Sequence, residues 1–532
     1  MRGLFMDAKQ SVRSGHHPLY LGIDASTQGV KVLVIDAEDG KVVGESAVNF
    51  GADLPQFGAP QGFLPHADSR LRHADPAMWV AGLELALERL ADGGVPMAAV
   101  AGISGSGQQH GSVYCLPAFE TLLQELKPGD SLVEMLPSRL SRPTSPIWMD
   151  RSTERMCAEL QAEFGGRLQT DTGSPAIERF TGPQIRKFAA EEPGAYGRTQ
   201  VIHLVSSFLC SLLIGRNAPI DFGDGAGMNL LNLKTLAWDP EIAAFTAPGL
   251  RGRLPACVAS DRVAGPLSAY WTKFGMRAGT PVAVWSGDNP SSLIGVGAGT
   301  PGTAVISLGT SDTFFAAMRD FRTDPDGCGH VFGNPAGGFM SLICFTNGSL
   351  AREAVKAQAK VDWAFFDQDA CDQTPAGNQG RLMLPYYAPE STPLVLRPQV
   401  RTNFDSATPA EWVRAVLESQ ALSMRLHSAW QGEAFKRIRV TGGASKSPVF
   451  RQILADVFQA QIETIAVSGS AALGAALRAA NAVGGCAFAD LYARFCQTVS
   501  TVAPRPELRP LYDGLLDRYA ALETSDGAAA FR

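Results

Sequence analysis

Residues 19–35 read LYLGIDASTQGVKVLVI, two runs of aliphatic and β-branched residues flanking the small polar stretch Ala25-Ser26-Thr27-Gln28-Gly29. That pattern predicts a β-hairpin whose tip is rich in hydrogen-bond donors. The design returns at residues 303–317, TAVISLGTSDTFFAA, where an apolar run meets a Gly-Thr-Ser-Asp tip and a second apolar run follows. Two such hairpins, far apart in the chain, predict an architectural repeat of two domains, each opening or nearly opening on a hairpin that faces phosphate. Helical spacing of apolar positions predicts helices at 76–91, 201–214, 290–296, 409–430 and 449–458, and a small-residue helix able to pack closely at 471–480. Short apolar runs at 98–103, 281–285 and 437–440 read as strands entering Gly-rich turns.

Strand and helix alternate in both halves, which predicts an α/β architecture. The boundary is expected near 297–303, where Gly and Thr punctuate the chain. A chain of 532 residues also calls for two or more domains. Residues 118–145, with Pro128, Pro137, Pro143 and mixed charge, are expected to form a surface excursion. The first eighteen residues lack the apolar core of a signal peptide and read as an N-terminal leader.

Composition narrows the partners. Hydrophobic residues at 45% and charged residues at 18% are those of a globular protein. A net charge of -6 argues against a broad nucleic-acid surface, which needs excess Lys and Arg to displace counterions, but leaves room for one bound nucleotide. No apolar run reaches the ~18–20 residues of a membrane span. The nine cysteines include no C-x-x-C pair, so neither a disulfide framework nor a zinc site is expected, and a cytoplasmic location fits.

A phosphotransferase needs backbone donors for phosphates, a carboxylate for Mg²⁺ and a carboxylate to take the proton of the attacking hydroxyl. The common cradle G-x-x-x-x-G-K-[ST] is absent. Gly223-Asp224-Gly225-Ala226-Gly227 looks like a dinucleotide loop, but no strand leads into it at the right distance. The hairpin at Asp24 is a better cradle: small residues keep the turn low, Lys31 offers a point charge, and Asp24 could orient hydrated Mg²⁺. The alternative is an ordinary turn with Asp as a turn residue. Asp288, at the end of an apolar run, is the candidate general base; the alternative is a helix N-cap. Gln108, Gln109 and His110, between glycines, form a hydrogen-bonding surface suited to a polyol. Thr441-Gly442-Gly443-Ala444-Ser445 either admits a flat ring or phosphate near the backbone or is simply a tight turn into a helix.

The strings SGSGQQHGSVY (104–114), IERFTGPQI (177–185), GDGAGMNLLNL (223–233), SGDNPSSL (286–293), SLGTSDTFF (307–315) and TGGASKSPVFRQILADVF (441–458) resemble, in this order, the FGGY carbohydrate kinases, and within them the pentulose branch. The resemblance runs over residues 20–480. It implies a two-domain, actin-like (ribonuclease H-like) α/β ATPase fold with a cleft between domains: a sugar-binding domain over 19–298 and a nucleotide-binding domain over 299–532. It implies Asp288 as catalytic base, touching the sugar together with Asn289. His110 and Arg179 would contact the ketose hydroxyls, with Gln109 beside them. Asp24, Thr27, Gln28 and Lys31 would face the phosphates and Mg²⁺, with Asp288 also near the metal. Gly309, Thr310 and Ser311 would form the second phosphate loop. Gly443 and Ala444 would pack on the adenosine, and Trp363 and Ser447 would also face the nucleotide.

The implied reaction is phosphorylation of D-xylulose by ATP with Mg²⁺, carried out by a monomer or homodimer without nucleic-acid or membrane partners. Rival readings are a kinase for another ketose or polyol, such as ribulose, L-xylulose, erythritol or glycerol, a sugar sensor on the same fold, and an ATPase with a protein partner.

Overall fold

The computed structural model describes residues 17–467 and 469–524. Most of the expected leader, residues 1–16, lies outside the described residues, as does the end of the chain from 525. The chain groups into two compact units. The first runs up to Gly297 and takes in Phe332–Gly337 and Val467–Cys496; the second comprises Ala298–Val331, Gly338–Ala466 and the chain from Gln497.

The first unit is built on a seven-stranded sheet. Its strands are β1 (Leu19–Ala25), β2 (Gly29–Asp36), β3 (Lys41–Asn49), β4 (Val100–Gly107), β5 (Val263–Pro266), β6 (Pro281–Ala283) and the short β7 (Ser286–Gly287). The order is β5-β6-β4-β1-β2-β3, with β7 also paired to β4. The expected first hairpin is present: β1 and β2 pair antiparallel from Leu19↔Asp36 to Ala25↔Val30. β1, β4 and β7 run parallel. Helix α1 (Pro76–Asp92) starts on an Asp75 cap, with Pro76 in its first turn, and buries Trp79, Val80, Leu83 and Leu87.

Residues 201–214 divide into a strand, Val201–Leu204, and helix α2 (Val205–Ile214). The β-branched and aliphatic run at the start finds an antiparallel partner in Ser112–Cys115, and that pairing overrides the helical reading of its first four residues. Residues 118–145 are not a surface excursion. Helix Pro117–Glu125 buries Phe119, Leu122 and Leu123, and Leu126, Leu132, Leu136 and Leu140 join the same core. The prolines punctuate this stretch, while its leucines turn into that core from successive short elements.

In the second unit, β8 (Thr303–Leu308) and β9 (Asp312–Met318) form the second expected hairpin. With β10 (Phe339–Phe345), β11 (Arg437–Gly442), β12 (Gln461–Ile465) and β13 (Thr498–Val502) they lie in the order β10-β9-β8-β11-β12-β13. β8, β11 and β12 are parallel. The long helix Pro409–Ser428 has a reciprocal Thr408–Glu411 capping box and is buried along most of its length. Helix Ser470–Ala482 belongs to the first unit, where it packs on β1 and β2 through Ala472, Leu473, Ala476, Leu477 and Ala480. Among the described residues no helix is long and apolar enough to cross a membrane.

Candidate active site

Parallel register brings three distant segments of the first unit to one edge of its sheet. Asp24 lies beside Ser106 and Ala25 beside Gly107. Ser106 in turn lies beside Ser286, and Gly107 beside Gly287. The hairpin tip, the Gln108-Gln109-His110 turn and the Asp288-Asn289 pair therefore leave neighbouring strands at their carboxyl ends, where α/β sheets collect ligands. Small residues make this possible. A Cβ on Gly287 would stand 2.5 Å from Gln109 Cγ, and one on Gly107 would stand 2.7 Å from the Ser206 backbone nitrogen.

Helix α3 (Asp288–Gly295) begins at Asp288, with Gly287 as its N-cap residue. Asp288 is thus the first residue inside the helix, and its carboxylate is turned to nearby donors. Its Oδ1 accepts from the Asn289 backbone N–H at 2.8 Å and from Asn289 Nδ2 at 3.1 Å. Asn289 Nδ2 also lies 2.9 Å from Gln109 Oε1. Gln109 Nε2 is buried and has no partner among the described residues, which leaves a donor for a ligand hydroxyl. Loss of hydration raises the Asp288 carboxyl to about 6, against the lowering effect of the Asn289 and Gln109 backbone N–H groups.

His110 sits at φ 69°, a left-handed conformation that non-glycine residues seldom adopt. Its Nδ1 is 2.9 Å from the Gly227 carbonyl oxygen. A carbonyl only accepts, so Nδ1 carries the proton. The ring stacks on Phe180 at 4.3 Å between centroids, and Thr181 Oγ1 donates to the His110 carbonyl. A Cβ on Gly227 would stand 2.8 Å from the imidazole. Arg179 lies with its guanidinium carbon 5.8 Å from the Phe180 ring centre. The structure thus brings Gln109, Asp288 and Asn289 into one bonded cluster, with His110 next to Gln109 in the chain and Arg179 beside the Phe180 ring that supports His110.

At the hairpin tip, Ser106 Oγ donates to Asp24 Oδ1 at 2.7 Å. Burial, then the charge of Asp288, raises the Asp24 carboxyl to about 7. The two carboxylates therefore feel each other. Mg²⁺ takes oxygen ligands and usually keeps waters and phosphate oxygens beside one or two carboxylates, so this donor set fits it. Thr27 Oγ1 donates to Gln108 Oε1 at 3.2 Å and accepts from the Trp148 indole N–H at 2.8 Å. Gln28 is exposed at the tip. Lys31 is paired with Glu45 at 2.7 Å.

In the second unit, Leu308 and Gly442 are register partners. The Gly309-Thr310-Ser311 tip and the Gly443–Lys446 turn therefore leave the same sheet edge. Thr310 and Ser311 are exposed, and a Cβ on Gly443 would meet nothing within 4 Å. Ala444 is part-buried in the same turn. The Ser447 hydroxyl accepts from the Phe450 backbone N–H at 3.2 Å and caps helix Pro448–Phe458. Trp363 is half-exposed, packs edge-on against Phe366, and has the Lys356 ammonium 5.0 Å from its ring centre.

Sequence reasoning passed over three participants. Trp148 is 43% exposed although its indole N–H is fixed on Thr27, and only its place between Ile147 and Met149 in an otherwise buried run hinted at it. Phe180 stood next to Arg179 but reads as an ordinary core residue. Asp224 was considered only as part of a glycine loop. It is fully buried, accepts from Ser206 Oγ at 2.5 Å, and burial raises its carboxyl well above the usual range.

Residues 144–295 match the N-terminal domain, and residues 304–483 the C-terminal domain, of the FGGY family of carbohydrate kinases. The xylulose kinase of Rattus norvegicus is 40% identical over 521 residues, covering 94% of this chain and 96% of the relative. Xylulose kinase 2 of Arabidopsis thaliana is 37% identical over 488 residues, 87% of each chain. The crystal structure of xylulose kinase from Rhodospirillum rubrum has a TM-score of 0.81 at 21% identity, over 95% of this chain and 98% of that one, and shares its two mixed α/β domains of ribonuclease H-like type. Matched by both family domains and by relatives along most of its length, the chain belongs to the FGGY family of carbohydrate kinases and is closely related to xylulose kinases.

Proposed function

We propose that this carbohydrate kinase transfers the γ-phosphoryl group of ATP to the terminal hydroxyl of D-xylulose, giving D-xylulose 5-phosphate and ADP. The observation that carries the reading is the bonded cluster Asp288–Asn289–Gln109 with His110 on its Phe180 support. It combines a carboxylate able to take a proton near neutral pH with amide and imidazole groups that suit a polyol. The 40% identity to a xylulose kinase points to the same sugar.

In this reading His110, Arg179 and Asn289 hold the sugar, with Gln109 beside them. Asp288 accepts the proton of the attacking oxygen as that oxygen bonds to phosphorus and the bond to the leaving ADP oxygen breaks. Asp24, Thr27, Gln28 and Lys31 face the phosphates in the first unit; in the second, the loop that Gly309 opens faces them through Thr310 and Ser311. Gly443 and Ala444, with Trp363 and Ser447, serve the adenosine. Mg²⁺, held by Asp24 with Asp288, would neutralise charge on the phosphate oxygens. Positioning and fixed charge supply most of the rate, and the general base contributes about 10²–10⁴-fold.

The test is ADP release from Mg-ATP with and without D-xylulose, beside Asp288→Ala. Sugar-dependent turnover should fall by about 10²-fold or more in the variant. Turnover with ribulose, L-xylulose, erythritol or glycerol in place of D-xylulose would keep the mechanism and replace the substrate. Sugar-independent ATP hydrolysis, unchanged in Asp288→Ala, would sink the reading.

A further inference from the structure

The second unit contains a buried ion pair directly beneath the Gly309-Thr310-Ser311 tip. Arg352 and Asp312 expose only 2% and 1% of their side chains. The pairing is bidentate: Arg352 Nη1 is 2.7 Å from Asp312 Oδ2, and Nη2 is 3.0 Å from Oδ1. The same guanidinium reaches further. Nη2 donates to the Gly309 carbonyl at 3.2 Å, and Nη1 donates to Gln420 Oε1 at 2.9 Å. Asp312 Oδ1 meanwhile accepts from the Gly309 N–H at 3.1 Å.

Both backbone polar groups of Gly309 are therefore turned inward. Its carbonyl also accepts from the Ser349 backbone N–H at 2.9 Å. Gln420 Nε2 bonds the carbonyls of Asn347 and Gly348, and a Cβ on Gly348 would stand 2.7 Å from Asp312 Oδ1. What remains pointing outward at the tip are the exposed residues Thr310 and Ser311. The guanidinium carbon of Arg352 also lies 5.5 Å from the Phe450 ring centre. Phe450 is the residue whose N–H Ser447 caps, at the end of the other Gly-rich turn. One side chain thus touches the supports of both nucleotide-facing segments of this unit.

Stability alone does not call for such a pair. Well-packed apolar residues often replace a buried ion pair with no loss of stability, whereas the planar fork of Arg fixes geometry that Lys cannot reproduce. We propose that Arg352 is a positioning residue for nucleotide binding: with Asp312 it pins Gly309 inward, so that Thr310 and Ser311 are presented as the phosphate donors. The inference rests on the reading of that tip as an ATP phosphate loop.

The experiment compares Arg352→Lys, Arg352→Met, Gln420→Met and a tip variant, Thr310→Val with Ser311→Ala. For each, KM for ATP and for the sugar, ADP affinity by calorimetry without sugar, and Tm are measured. Arg352→Lys keeps the charge but loses the fork. It should hold Tm near the parent's while raising KM for ATP and Kd for ADP roughly tenfold; Arg352→Met should approach about 10²-fold, with sugar KM unchanged in both. Gln420→Met should move in the same direction by a smaller factor. Folded Arg352 variants with parental nucleotide affinity, whatever their Tm, would overturn the proposal. If Arg352→Met does not fold, parental nucleotide affinity in Arg352→Lys and Gln420→Met would overturn it equally. A tip variant with unchanged nucleotide affinity would remove the phosphate-loop reading itself. A weakened tip variant beside unaffected Arg352 variants would remove only the inference.

Discussion

Asp288 and Asp24 carry the same chemical tension. Each carboxyl is raised chiefly by burial, to about 6 and about 7, and Asp24 is raised further by the charge of Asp288. In the proposed role Asp288 must be ionised to take a proton, so kcat/KM should fall as pH drops through about 6 to 7 and level off above. A cation favours the ionised forms, so raising Mg²⁺ should move that acid limb to lower pH. Profiles at two Mg²⁺ concentrations check this, and a limb that ignores Mg²⁺ would separate the metal from these two carboxylates. The same shift has a consequence for stability. Between 3.8 and about 6 the folded protein keeps on Asp288 a proton that the unfolded chain releases, so stability falls as pH rises through that window. Asp288→Asn removes this cost. The variant should be inactive yet melt above the parent at pH near 8, by at most about 3 kcal/mol and less to the extent that water reaches the group. The difference should vanish at pH near 4, and thermal melts across pH decide it.

At the scale of elements, the site depends on how closely helices and strands approach. Helix α3, which begins with Asp288, crosses helix Ser470–Ala482 at two facing glycines. A Cβ on Gly474 would stand 1.8 Å from the Ser291 carbonyl oxygen, and one on Gly295 would stand 1.8 Å from that of Ser470. Both obstacles are backbone, so neither can step aside. Gly474→Ala should cost about 1–3 kcal/mol or more and tilt α3. Tm and kcat should both drop; parental kcat would show that α3 does not need this crossing. The small-residue pattern of 471–480 announced such a helix, and apolar runs around polar tips announced both hairpins. Other features lay outside local pattern. The first four residues of 201–214 follow a cross-strand partner, and the leucines of 118–145, spread over helix Pro117–Glu125 and the short elements after it, meet in one core only in the folded chain. The sequence patterns that single out Lys31 and Ser447 carry no trace of their bonds to Glu45 and to the Phe450 N–H. Gln109 and Asn289 were both legible, but the bond between them exists only because β4 and β7 are parallel neighbours.

For the molecule as a whole, chain order and physical grouping diverge at residues 467–496. An N-terminal domain ending at 298 contains the hairpin, the Gln108-Gln109-His110 turn and Asp288, yet the first unit also needs the segment that returns from Val467 to Cys496. The reason is apolar coverage. Tyr20, Leu33 and Ile35 on one face of the sheet pack against Ala472, Leu473, Ala476 and Leu477, and a Cβ on Gly22 would stand 2.2 Å from the Ala472 carbonyl oxygen. Arg478, 2% exposed, extends from that helix to the carbonyls of Gly105 and Val284, which precede the two site turns. A fragment of residues 1–298 would present this face to water and leave those carbonyls without the guanidinium. Such a fragment should aggregate or bind a hydrophobic dye without a cooperative melt, and fusing residues 467–496 to it through a flexible linker should restore cooperativity. Near-ultraviolet circular dichroism and thermal melts of the two proteins distinguish the cases. A fragment that melts cooperatively without the returning segment would mean that the sheet supports itself. Cooperativity recovered only in the fusion would mean that Asp288 depends on a helix encoded almost two hundred residues downstream, so that substitutions there act on the chemistry without touching either substrate.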